Sequence, residues 1–508
     1  MTKPLHLMLI GLGRHAQRVY YPLIEQYAAS HQLRLACVVD LHSKQAELHD
    51  YAAAHQLQPD AWLWLEPLQP DAQRLPAEVR QALDAALVAH RIDAVIIATE
   101  PLAHHAYLDW ALGHNLPVLI DKPITARPNV AHDLAQAQAL LHDYETLHQR
   151  YLDAQRNNPH CVVSVLTQRR HNPAFAKVRA LVGEVFERTG CPITSITVEH
   201  SDGEWRMPWE ITEQHYHPFN QGYGIYCHSG YHTLDTVAWL VAATQHADHP
   251  IDQLEIDARM LWPHEYVMQL GGDALLRLFP DFTPPHTVSA IAQHLSEQAQ
   301  HYGEIDGFAM VAFQHAGRTL TTANISILHN SYTQRAWPSS ANRNLYTGNG
   351  RLRHEVYSIQ QGPFQTIKLM AFHKESGETR SPHESPYALG GKRHCEVMVF
   401  RNHQLFPDWR NLETFTLRDL EPVNYGASDA KGAYLLEFIQ AARGELPRDR
   451  LRSDFSTHAL STHLLSGIYQ SVIRRQQGQN PTVKLSLGEE CKPYTVLNPT
   501  ACSEFMAV

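Results

Sequence analysis

The chain lacks the marks of several protein classes, and each absence narrows what it can do. Its seven cysteines (Cys37, Cys161, Cys191, Cys227, Cys395, Cys491 and Cys502) include no Cys-x-x-Cys pair. Neither a zinc ribbon nor a disulfide framework is indicated, and reduced, mostly buried thiols are expected. No apolar run approaches the roughly 18 residues of a membrane span, and no basic leader with a cleavage site precedes the first strand. A cytoplasmic protein is therefore expected. Positive charge is also short: 42 Lys and Arg stand against 52 Asp and Glu, a formal net charge of -10. Nucleic acids and anionic membranes reward clustered cations, so neither is an expected partner. With no internal repeat and no low-complexity tract, the 508 residues, 44% hydrophobic and 19% charged, read as globular and long enough for two domains. A small molecule is the expected partner.

What the chain does contain begins at Leu5. A short apolar run, Leu5 to Ile10, enters Gly11-Leu12-Gly13-Arg14-His15-Ala16 and leaves as a helix-like stretch interrupted by Pro22. A strand entering a Gly-x-Gly-x-x-Ala turn delivers a dinucleotide pyrophosphate to backbone N–H groups. Gly11 permits the tight turn, Gly13 removes a side chain from the path of the phosphates, and Ala16 lets helix and strand pack closely. Pro22 should kink the helix. A second buried strand, Leu33 to Val39, ends in Asp40, 24 residues beyond Ala16. A carboxylate there accepts hydrogen bonds from the adenosine ribose and repels a 2'-phosphate, which favours NAD(H) and leaves NADP(H) possible through Lys44.

Further strands alternate with helical stretches. Asp93 to Thr99 is followed by a helix carrying His104, and Leu116 to Ile120 leads into Asp121-Lys122-Pro123. This alternation predicts a parallel sheet with helices on both faces, and the acids, the hydroxyl of Thr99 and the lysine all fall at carboxyl ends of strands, where such sheets bind ligands. Together, the glycine turn, the strand ending at Thr99 with His104 five residues on, and the Asp-Lys-Pro tripeptide resemble the glucose-fructose oxidoreductase / inositol dehydrogenase / MocA (Gfo/Idh/MocA) family, in which the tripeptide is usually Glu-Lys-Pro. The resemblance implies an α/β Rossmann domain, residues 1–125. It also implies an α+β domain with a large, mainly antiparallel open sheet, residues 126–508. Under that resemblance Lys122 lies beside the nicotinamide and the reacting carbon, and Thr99 and His104 line the cofactor channel.

Gly222 to Leu240 is the second informative stretch. Read as a helix from about residue 227, it sets His228, His232 and Asp235 on one stripe. Oxidising a secondary alcohol needs a base for the hydroxyl proton, and imidazole titrates near neutrality, so His232 is the candidate base. With 35 histidines in 508 residues, about two i,i+4 pairs arise by chance; the pair gains weight only with Gly230 and Asp235. The resembled family usually reads Asp-x-Gly-x-His-x-x-Asp here, and His228 stands where its first aspartate would. A zinc site completed by Asp235, His215 or His217 is the lesser reading, and no metal is expected. Arg169 and Arg170 resemble an arginine-bearing segment that opens the family's second domain and are candidate substrate contacts, as are Trp205 and Arg206, which with Trp209 offer a sugar-stacking wall.

Alternating runs at Ile196–His200, Phe308–Phe313, Thr319–Leu328, Ile367–Phe372 and Glu396–Phe400 predict the strands of the second sheet. The stretch 250–304 reads as an insertion. The resulting expectation is an NAD(P)-dependent dehydrogenase or reductase of a sugar, cyclitol or related polyol, forming a homodimer or homotetramer. Two alternatives stay open: a redox-neutral NAD-dependent glycosidase on the same scaffold, and a non-catalytic dinucleotide-sensing regulator.

Overall fold

A computed structural model describes residues 3–213, 217–269, 299–335, 350–374, 394–421 and 429–488, with residues 277, 278, 290, 293 and 295–297. The chain divides into two units, and neither is contiguous. The first comprises Met1–Arg127, Ala139–Asn172 and Asn424–Ala459; the second comprises Pro128–Gln138, Pro173–Val423 and Leu460–Val508.

The first unit is built on six strands: β1 (Leu5–Ile10), β2 (Leu33–Leu41), β3 (Trp62–Leu65), β4 (Ala94–Ile97), β5 (Val118–Ile120) and β6 (Val163–Val165). Their order is β3-β2-β1-β4-β5-β6, and every pairing is parallel. Strands covered on both faces must be apolar throughout. Val95, Ile96 and Ile97 in β4 and Val118, Leu119 and Ile120 in β5 accordingly have no exposed surface. The strand order reverses direction between β1 and β4, the switch point at which open α/β sheets bind ligands.

Two segments beyond residue 125 complete this core. The strand β6 extends the sheet, and the helix Asp429–Ala442 packs Tyr434, Leu435, Phe438 and Ile439 into the same apolar cluster as Leu7, Leu9 and Ile96. The expected division at residue 125 thus gives way to a Rossmann unit that recruits two later pieces of chain. Arg170 secures one of them, donating to the carbonyl of Arg452 (2.9 Å) and to Thr457 Oγ1 (2.6 Å).

The helix after the glycine turn is divided as Pro22 foretold, though one turn earlier. Arg14–Arg18 and Tyr20–Tyr27 are separate helices, and Val19 between them has φ -122° and ψ -67°. A proline ring clashes with the carbonyl four residues before it. For Pro22 that is Arg18, the last residue of the first helix.

Among its described residues the second unit carries nine strands: β7 (Ser195–Ser201), β8 (Gln253–Leu261), β9 (Asp306–His315), β10 (Arg318–Leu328), β11 (Leu352–Gln361), β12 (Gln365–Lys374), β13 (His394–Arg401), β14 (Leu412–Thr416) and β15 (Val483–Ser486). The order is β14-β13-β12-β11-β7-β10-β9-β8-β15. Among the described residues, only β7 and β10 of this sheet pair in parallel. The stretch expected to be an insertion supplies β8, which pairs with both β9 and β15. Its alternation, with Leu254, Ile256 and Ala258 buried, is interrupted by Glu255, Asp257 and Arg259, which gave it too polar a composition to stand out as a strand.

Glu304, just before β9, is fully enclosed. Its Oε1 accepts hydrogen bonds from the Tyr226 backbone N–H (2.9 Å) and the Tyr469 hydroxyl (3.0 Å). Burial outweighs these bonds and pushes its carboxyl up to about 7. Because the folded value is raised, the stabilisation from the protonated form is complete below about pH 4.5 and is lost as pH rises through 7, a change of up to about 3 kcal/mol. Glu304→Gln should therefore flatten the decline in stability between pH 5 and 8 measured by chemical denaturation. A variant that keeps the parent's full decline would contradict this assignment.

Candidate functional site

In the first unit the predicted cofactor residues gather at the carboxyl ends of the parallel strands. Gly11 to His15 follow β1, Asp40 closes β2, Thr99 follows β4, and Asp121 and Lys122 follow β5. Gly11 has φ +89°, and a Cβ there would stand 2.8 Å from the carbonyl oxygen of Ala98. Both facts demand glycine. Gly13 has the opposite property, because an added Cβ would meet nothing within 4 Å. The open space over its backbone fits a phosphate group, as a dinucleotide site requires.

Asp40 closes the turn. Its Oδ2 accepts from Leu12 N–H (2.6 Å) and its Oδ1 from Leu41 N–H (2.7 Å). The carboxylate is thereby fixed beside the glycine turn, where an adenosine ribose would meet it. His104 is placed differently from the expected channel lining. It is fully buried, and its ring nitrogens lie 2.8 Å from the Pro123 carbonyl and 3.1 Å from the Thr99 carbonyl. Desolvation lowers its affinity for a proton against the opposing pull of both carbonyls, and its ring lies between the strand end at Thr99 and the Lys122-Pro123 turn.

Two residues at this end of the sheet escaped sequence reasoning. Tyr20 donates from its hydroxyl to Asp121 Oδ1 at 3.0 Å, and Lys431, from the helix Asp429–Ala442, acts electrostatically on His15. Neither lies within the glycine motif, and Lys431 is separated from it by more than 400 residues of sequence.

In the second unit the His232 helix spans Gly230–Ala242. It begins three residues later than expected, because Gly230 N–H returns to the Ile225 carbonyl (2.8 Å) and His228 N–H to that of Gly224 (3.0 Å). His228 therefore belongs to the turn ahead of the helix. Its ring stacks on His217, with centroids 4.6 Å apart and planes inclined by 14°. His232 is partly exposed on a helix whose neighbouring positions, Tyr231 and Thr233 to Ala238, are buried. Asp235 has no exposed surface and accepts from Ser461 Oγ at 3.2 Å, so it anchors the helix from its inner side.

Sequence reasoning also missed the polar cluster that meets this turn. Asp202, just past β7, accepts from Ser229 Oγ (2.6 Å) and from Arg351 Nη2 (2.9 Å), and it lies 3.3 Å from His200 and 3.4 Å from His329. Burial alone would raise its carboxyl; Arg351, His200 and His329 overcome that and hold it well below the usual range. Arg206, expected to touch substrate, is buried against Glu204 (3.1 Å) and over the Phe219 ring (4.8 Å). Trp205 is the partly buried residue of an otherwise buried segment and has φ +39°, a strained conformation of the kind that gathers at binding sites. Arg169 and Arg170 are buried in the first unit. His215 lies outside the described residues, and among those described no cluster of three or more His, Cys, Asp or Glu could hold a metal ion.

Replacing Gly11 by alanine should test the turn directly. The positive φ and the Ala98 contact together cost about 1–3 kcal/mol, so Gly11→Ala should lower the melting temperature and weaken NAD+ binding in a calorimetric titration. Unchanged affinity would exclude this turn as the cofactor site.

Comparison with known proteins agrees with this geometry. Residues 5–151 match the Gfo/Idh/MocA family model, described as an oxidoreductase family with an NAD-binding Rossmann fold. No curated protein matches the sequence. Among solved structures, the WlbA dehydrogenase from Bordetella pertussis, in complex with NADH and UDP-GlcNAcA, is 14% identical with a TM-score of 0.52, covering 96% of this chain and 99% of that one. The aldose-aldose oxidoreductase from Caulobacter crescentus, complexed with glycerol, is 12% identical with a TM-score of 0.53, covering 96% and 100%. An NAD binding oxidoreductase from Klebsiella pneumoniae is 15% identical with a TM-score of 0.53, covering 96% and 99%. At these identities the likeness is one of fold. Residues 5–151, with the glycine turn closed on Asp40, thus match the NAD-binding Rossmann fold of the Gfo/Idh/MocA oxidoreductase family.

Proposed function

We propose that this chain transfers hydride between nicotinamide and a secondary alcohol or ketone of a sugar, cyclitol or related polyhydroxylated metabolite. The observation that carries the proposal is the pairing of Asp40 with the glycine turn, at the end of the sheet that also bears Lys122. Asp40 favours NAD(H) over NADP(H) by meeting the ribose hydroxyls and repelling a 2'-phosphate. A nicotinamide dinucleotide held by the Gly11 to Gly13 backbone and Asp40 would supply the acceptor for a hydride from the carbinol carbon. Lys122 donates a hydrogen bond to the reacting oxygen and offsets its developing charge. His232 takes the hydroxyl proton onto a ring nitrogen as the ketone forms, and returns it in the reverse direction. Asp235, bonded to Ser461, holds the His232 helix in place. The partly buried indole of Trp205 suits the apolar face of a pyranose. Sugar-type ligands in related folds, UDP-GlcNAcA in the Bordetella WlbA dehydrogenase among them, support the substrate class.

The open face of the second sheet supports assembly with a second copy. Along β9, Phe308 and Met310 are 52% and 66% exposed, while Ala309, Val311 and Phe313 between and beside them are buried. Strand register extends the row of Phe308 through Ser326, Glu199 and Val356 to Met370. The exposed Phe308 and Met310, in a row that also holds Val356 and Met370, suit association with another protein surface.

Two measurements check this reading. His232→Ala should lower kcat by about 10²–10⁴-fold when the reduced-nicotinamide absorbance is followed with whichever sugar or inositol the parent turns over. Full retained turnover would remove His232 as the base. Phe308→Asp combined with Met310→Asp should halve the mass measured by light scattering, and an unaltered mass would exclude this face as the interface.

A further inference from the structure

The tripeptide after β5 carries Asp121 where the resemblance sets a glutamate, and the surrounding residues account for the shorter acid. Asp121 is bracketed by two side chains from the segment that follows the glycine turn. The Tyr20 hydroxyl donates to Oδ1 at 3.0 Å, and Nε2 of His15 lies 3.7 Å from Oδ2. The two rings brace each other edge to face, with centroids 5.6 Å apart and planes inclined by 75°. Tyr20 is almost wholly buried in the apolar cluster of the first unit.

The position of Tyr20 follows from the sequence around it. Pro22 prevents an unbroken helix through Arg18, the break falls at Val19, and Tyr20 opens the new helix. Strands β1 and β5 are separated by β4, so their ends stand about two strand spacings, roughly 10 Å, apart. A single tyrosine therefore joins the element that receives the pyrophosphate to the strand that presents Lys122.

We propose that Tyr20 is a positioning residue of the dinucleotide site, holding Asp121 through its hydroxyl so that the carboxylate and the adjoining Lys122 keep a fixed spacing from the glycine turn. The proposal rests on the reading of that turn as the NAD site and extends it to a residue outside the motif. Burial, and after it the charge of Asp121, pushes the Tyr20 hydroxyl well above its ordinary range, so it remains a donor throughout the working range. Desolvation lowers His15 to about 4 in spite of the attraction of Asp121. His15 Nε2 stands beyond hydrogen-bond distance of the acid at 3.7 Å, and the tyrosine supplies the hydrogen bond that holds it.

A double-mutant cycle separates this role from mere packing. Tyr20→Phe keeps the ring and removes the donor. It should weaken NAD+ binding about ten-fold in a calorimetric titration, the loss of one hydrogen bond to a charged group, with far-UV circular dichroism unchanged. Asp121→Glu alone should also weaken binding, because the added methylene pushes the carboxylate past a hydroxyl set for aspartate. Combined with Tyr20→Phe it should bind NAD+ more tightly than either single variant, since a longer acid no longer has to meet that hydroxyl. Parental affinity in Tyr20→Phe, or losses that simply multiply in the double variant, would overturn the proposal. Failure of the parent itself to bind NAD+ would instead overturn the reading of the glycine turn, and the proposal with it.

Discussion

The hydrogen bond from Leu12 N–H to Asp40 is the constraint on which the rest of the first unit depends. It joins the turn after β1 to the end of β2, so the backbone that would face the pyrophosphate and the carboxylate that would meet the ribose cannot move independently. Gly11 makes the turn possible because the backbone of Ala98 leaves no room for a side chain. The open ground over Gly13 and the fixed acid at Asp40 are then consequences of one local geometry. Preorganisation of this kind spends folding energy in advance, so that ordering the site does not diminish ligand affinity.

Two departures from the resembled family's usual residues have local answers in the structure. Asp121, shorter than glutamate by a methylene, is met by Tyr20. Where His228 replaces an aspartate ahead of His232, a carboxylate still reaches that turn from the neighbouring strand, as Asp202 accepts from Ser229. In the second case the acid is matched by Arg351, His200 and His329. A buried carboxylate without such partners would be costly to enclose. Each departure is thus met by residues of its own unit.

Much of the Rossmann sheet was legible because parallel strands buried on both faces leave unbroken apolar runs. Leu5–Ile10, Leu33–Val39 and the core of Asp93–Thr99 were read almost as they fold. The antiparallel sheet was less legible, since strands with one exposed face tolerate charge. β8, with Glu255, Asp257 and Arg259 on its outer face, was hidden within a supposed insertion. Site residues followed the same division. The glycine turn and Asp40 announce themselves by local spacing, whereas Tyr20, Asp202 and Lys431 owe their places to contacts between distant segments. Arg170 misled for a related reason: an arginine pair after a strand resembles a binding element, but its guanidinium is engaged by Arg452 and Thr457.

The central claim is that the carboxyl ends of the parallel strands hold a nicotinamide dinucleotide against the glycine turn. A crystal structure of the full chain grown with NAD+ tests it most directly. The pyrophosphate should lie over the backbone of Gly13, with the adenosine ribose hydroxyls within hydrogen-bond distance of Asp40. A dinucleotide bound elsewhere, with the Leu12–Asp40 contact intact and the space above Gly13 empty, would contradict the account.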